Sequence, residues 1–93
     1  MKAVAFEPSV LRQIRSLGRS ERQLVGRAVR LAQELLGRPH RHGGTGLRKL
    51  TGEFYEVRIG LGQRLVFENT PDALHFVLLG GHEQVRRFLK RQR

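Results

Sequence analysis

An α+β domain of two layers, in the order β-α-α-β-β-β with a short C-terminal helix, is the fold these 93 residues predict. Three observations predict it. Apolar residues recur at helical spacing from Val10 to Leu36, they alternate with polar residues through 54–68, and a polar, glycine-rich stretch separates the two patterns. The sheet should be mainly antiparallel. The N-terminal helical hairpin should cover one of its faces and leave part of the other open.

The elements follow in order. Residues 2–6 form a short strand candidate. Pro8 suits the first turn of a helix, and Val10, Leu11, Ile14 and Leu17 repeat at helical spacing before Gly18 ends it. Ser20, with Gln23 three residues on, has capping-box spacing and predicts a second helix running to about Leu36, stopped by Gly37 and Pro39. The three residues 18–20 would join the two helices as an antiparallel hairpin. Residues 37–46 read as a loop and 47–50 as a short extended piece. Residues 54–59 and 63–68 read as a β-hairpin closed by Gly60-Leu61-Gly62. Asn69 to Asp72 is a turn. Ala73 to Leu79 is apolar on both alternating faces (Leu74, Phe76 and Leu78; Val77 and Leu79), which predicts an internal, covered strand. Gly80-Gly81 ends it, and a basic helix candidate runs from His82 to about Arg91. All of 1–93 is read as one domain.

Charge narrows the partner. Eighteen Lys and Arg against eight Asp and Glu give a net charge of +10 and a pI near 11.7. In a chain this small that favours a polyanion, nucleic acid before acidic protein. Cysteine is absent, which excludes disulfides and thiolate metal sites. No run approaches the roughly 18 apolar residues of a membrane span and no hydrophobic leader follows Met1, so a cytoplasmic protein is expected, without a membrane partner.

The hairpin carries the chemistry. With residues 60–62 as its loop, Arg58 lies opposite Arg64, and a one-residue slip would turn Arg64 onto the apolar face. Two like charges facing each other across an antiparallel pair cost a few tenths of a kcal/mol or more. An anion offsets that cost, and the forked guanidinium suits a phosphate. Cleavage of RNA without a metal needs a base for the 2′-hydroxyl, an acid for the leaving oxygen and cations for the transition state. Glu56, Arg58 and Arg64 share the open face, and His82 follows the last strand just past the glycine pair. Glu56 reads equally as an ion-pair partner of a neighbouring arginine, and His82 as a helix cap. Arg48 and Lys49 at the foot of the sheet, and the C-terminal stripe with Arg86 and Arg87, could track a phosphate backbone. His40 and His42 form an H-x-H, but a metal site needs three or four convergent ligands, so no metal is expected and the pair is at most an RNA contact with Arg38 and Arg41. The Gly43 to Gly46 run lacks the preceding strand and following Gly-Lys-Ser/Thr of a nucleotide loop.

The ordered set Leu47-Arg48-Lys49-Leu50, Tyr55-Glu56-Val57-Arg58, a glycine turn, Arg64-Leu65-Val66-Phe67, an apolar strand and Gly81-His82 resembles the RelE/ParE superfamily of bacterial toxins. The resemblance covers nearly the whole chain. It implies the RelE fold, no cofactor, and a small acidic antitoxin as partner. In the RelE branch it implies ribosome-dependent mRNA cleavage, with Arg58 and Arg64 holding the scissile phosphate, His82 as general acid, Glu56 as base and Phe88 as a stacking platform. Two positions depart from that branch. Glu56 stands where lysine is frequent, and Phe88, near a tyrosine position, has no hydroxyl. The ParE branch instead inhibits DNA gyrase without catalysis, and a basic RNA- or ribosome-binding module is a further alternative.

Overall fold

A computed structural model describes residues 2–36 and 46–92. Five strands, β1 (Ala3–Phe6), β2 (Leu47–Lys49), β3 (Phe54–Ile59), β4 (Gln63–Asn69) and β5 (Ala73–Gly80), form one sheet in the order β1-β5-β4-β3-β2. β1 runs parallel to β5, and every other pair is antiparallel. The helices α1 (Pro8–Ser16) and α2 (Arg19–Leu35) cover one face, and α3 (His82–Arg91) lies against β4 and β5. The expected α+β architecture is therefore the one observed. β5 is internal, as its two apolar faces require, and the edge strands are the two shortest.

The helix-covered face is held by a row of rings in register. Phe6 stacks on Phe76 at 5.1 Å, Phe76 meets Phe67 at 5.1 Å, and Phe67 stacks on Tyr55 at 5.5 Å. Lys49 closes the row with its ammonium 5.9 Å from the Tyr55 ring centre. Each member lies directly opposite the next, so the row crosses all five strands. Aromatic pairs of this kind add about 0.5–1.5 kcal/mol each beyond their burial. Val10 of α1 and Val25, Ala28, Ala32 and Leu35 of α2 complete the core beneath the row. The small alanines let α2 sit close to the sheet.

Three local details differ from the sequence reading. α2 begins one residue before Ser20. Its N-cap is Gly18, whose N–H donates to Glu21 Oε1 at 3.2 Å, so Ser20 and Gln23 do not form the cap. The connection between the helices is correspondingly shorter than three residues. In β5 the simple alternation fails at Val77. Phe67 faces Phe76 but Val66 faces Leu78, so Val77 is the extra residue of a bulge. The bulge keeps both Phe76 and Leu79 on the helix-covered side and turns Leu78 and Gly80 to the other. The expected loop residues Arg38, His40, Arg41 and His42 lie outside the described residues.

Candidate nucleic-acid interface

The hairpin register is the predicted one: Ile59 faces Gln63 and Arg58 faces Arg64. Gly60 adopts φ 61°, a left-handed conformation that glycine takes at no steric cost, and this allows the three-residue loop. The face opposite α1 and α2 therefore carries Glu56 and Arg58 from β3, Arg64 from β4 and Arg48 from β2, which pairs with Glu56 across the strands.

Glu56 is the hub. It is 6% exposed, the only charged residue buried among those described. Its Oε2 lies 3.2 Å from Arg48 Nη2 and its Oε1 lies 3.8 Å from Arg64 Nε. Burial of a carboxylate is tolerated only with such partners. Arg48 is mostly exposed and makes the shorter contact, whereas Arg64 is partly covered and lies at the longer distance, beyond hydrogen-bond reach of Oε1. Arg58 is exposed and makes no ion pair among the described residues. Two guanidiniums on one carboxylate, with Arg58 on the same face opposite Arg64, leave the cluster positive.

The end of β5 brings α3 to this cluster. Gly80 faces Arg64, and His82 follows two residues later as the first residue of α3, exposed. The N-cap is Gly81, not His82, and its N–H donates to Gln84 Oε1 at 2.7 Å. That bond folds the Gln84 side chain directly over Gly80, where a Cβ would collide with it. Glycine at 80 thus leaves room for the Gln84 side chain in the turn that starts α3.

The remaining candidates divide. Arg48 and Lys49 point to opposite faces, since Arg48 opposes Glu56 and Lys49 opposes Tyr55, so they do not act as one basic pair. Strand alternation in 47–49 was the signal that could have separated them. Arg86 is exposed and bound to Glu83 at 2.9 Å, and Arg87 is exposed. Phe88 is half-buried with its ring edge-on to Phe54 at 5.3 Å, a contact that, with buried Val85, seats α3 on the sheet. Among the described residues no three His, Asp or Glu side chains converge as metal ligands, and no helix is long and apolar enough to cross a membrane.

No protein-family model matches the chain, and no curated protein does. Solved structures do. A mutant of the E. coli toxin RelE in complex with an antitoxin RelBc peptide superposes with a TM-score of 0.63 at 20% identity, covering 97% of this chain and 93% of that one. The fold is that of the RelE toxins. A RelB-RelE antitoxin-toxin complex from Methanococcus jannaschii gives 0.61 at 12% identity over 90% of this chain and 96% of that one. A YoeB/ParE toxin from Agrobacterium tumefaciens gives 0.60 at 19% identity over 88% and 99%. In this RelE-like fold the arginine cluster occupies the sheet face left free by the helical hairpin.

Proposed function

We propose that the protein is the toxin of a type II toxin–antitoxin pair, acting as a ribosome-dependent, metal-independent endoribonuclease on mRNA. The observation that carries the reading is Arg48 and Arg64 on a single buried carboxylate with Arg58 opposite Arg64 on the same face, and His82 opening the helix that follows β5. Such a cluster is costly without an anion and suited to one that is forked and doubly charged in its transition state.

In this reading Arg58 and Arg64 hold the non-bridging oxygens of the scissile phosphate. The 2′-oxygen gives its proton to solvent water and attacks phosphorus to form a 2′,3′-cyclic phosphate, the bond to the 5′-oxygen breaks, and protonated His82 delivers its proton to that leaving oxygen. Glu56, the sequence candidate for the base, has Oε1 shut away from solvent behind the arginines. A base must reach the proton it removes, so the geometry favours Glu56 as the residue that positions Arg48 and Arg64. Phe88 enters the reading through its grip on Phe54, which sets where α3 and His82 lie, before any stacking on a base.

The partner in this reading is a small acidic antitoxin, as two of the similar structures are toxins bound to antitoxins. A gyrase inhibitor is the second reading, favoured by the similar chain named YoeB/ParE. Induced expression followed by mapping of mRNA 5′ ends tests the two. New ends within coding sequence, with arrest of translation, are expected. Growth arrest with DNA damage and intact mRNA would replace the nuclease by the gyrase reading, and binding to ribosomes without either effect would leave a basic RNA-binding module.

A further inference from the structure

The outer face of α2 carries a second basic surface. Arg19, Arg22, Arg27 and Arg30, with Gln23 and Gly26, line a shallow groove of about 510 Å³. At 1.5 Å per residue the four arginines span about 16 Å. They point away from Val25, Ala28, Ala32 and Leu35, which bind α2 to the sheet, so this surface lies across the molecule from Arg58 and Arg64. Among the described residues none of the four makes an ion pair, although Glu21 and Glu34 stand on the same helix. Glu21 instead accepts the Gly18 N–H. Glu34 stands four residues after Arg30, a spacing at which a helix can pair them, yet no ion pair forms there, and no acid stands three or four residues from Arg19, Arg22 or Arg27.

Gly26 is the second observation. Glycine in the middle of a 17-residue helix is unfavourable relative to alanine. Here its missing side chain opens the floor of the groove, and the nearest atom to an added Cβ would be Arg30 Nη1 at 3.9 Å. A rigid row of forked cations over an open floor fits a phosphate backbone. No aromatic ring lines the groove to stack an unpaired base, which argues for a double-helical strand over a single strand.

We propose that the outer face of α2 binds the phosphate backbone of double-helical RNA, a contact separate from the arginine cluster on the sheet. The inference rests on RNA as the partner and not on cleavage. The test uses the full chain and an RNA duplex of about 20 base pairs, longer than the roughly 16 that a double-stranded-RNA module spans. Binding is read as the dependence of log affinity on log salt for the native protein, the triple variant Arg22→Gln/Arg27→Gln/Arg30→Gln, its lysine counterpart, and Arg64→Ala. The glutamine variant should flatten the slope by about 2 to 3, since each lost phosphate contact removes about 0.7–0.9. The lysine variant should keep most of the slope at an unchanged melting temperature, and Arg64→Ala should lose at most one contact. An unchanged slope in the glutamine variant overturns the proposal. So does a loss confined to single-stranded RNA, to an acidic peptide, or shared equally by a DNA duplex of the same sequence. Loss of cleavage in Arg64→Ala with duplex binding intact, or absence of cleavage altogether with the expected slopes, leaves this surface standing and bears only on the nuclease reading.

Discussion

The carboxylate of Glu56 lies 3.8 Å from the guanidinium Nε of Arg64, and its Oε1 is buried without a hydrogen-bond partner. Arg64 therefore reaches the open face from a charged foundation. The same carboxylate holds Arg48 at 3.2 Å, so one acid organises two of the three cluster arginines. Glu56→Gln keeps the shape and removes the charge. The freed arginines can turn to solvent, so the stability change should stay within about 1 kcal/mol. If Glu56 positions, cleavage should fall about tenfold, within the loss expected from a small displacement of a charge-stabilising group. A fall of roughly two to four powers of ten would instead make it the base. Single-turnover cleavage and a thermal melt on this variant decide between them.

Arg64→Ala should abolish growth arrest and leave the fold intact. No core volume is lost, but the buried Glu56 carboxylate keeps only Arg48 as partner, so stability should fall by about 1–3 kcal/mol without loss of the fold. A positioned cation is worth about 3 kcal/mol in a transition state, on the order of a hundredfold in rate. Arg64→Lys should restore little, because a point charge reproduces neither the fork nor the Nε contact with Glu56. A fully toxic Arg64→Ala protein would remove the phosphate site from the hairpin.

For His82→Gln, with Gly81 as the N-cap of α3, the stability reading is simple: the melt should barely move. Cleavage should drop by roughly two to four powers of ten with ribosome affinity nearly constant, the mark of a lost general acid. Unchanged cleavage would leave the leaving oxygen without a proton donor in this site.

Gly80→Ala tests how the turn before α3 is built. The new Cβ must displace Gln84, and the displaced side chain gives up the Gly81 N–H. Loss of such a cap costs about 1 kcal/mol. In a Gln84→Ala background the same substitution should cost clearly less, because the obstruction and the cap are already gone. Equal costs in both backgrounds, measured by denaturant unfolding, would show that Gln84 is not what excludes a side chain at 80.

Periodicity by itself determined the element order, the two-layer architecture and the Arg58 to Arg64 pairing, because the side-chain period of a strand and a three-residue glycine loop admit only one register that keeps Leu65 and Phe67 inside. It also set Glu56, Arg58 and Arg64 on one face of the hairpin. What only the tertiary structure decided depends on contacts between elements distant in sequence. The bulge at Val77 follows from fitting Phe76 and Leu79 to the same layer, which local alternation within β5 does not anticipate. The pairing of Arg48 with Glu56 required the β2–β3 register, although alternation within 47–49 already sets Arg48 and Lys49 on opposite faces. The burial of Glu56 depended on strands from both sides closing around one carboxylate, and a buried charge keeps its place only where partners from other elements meet it.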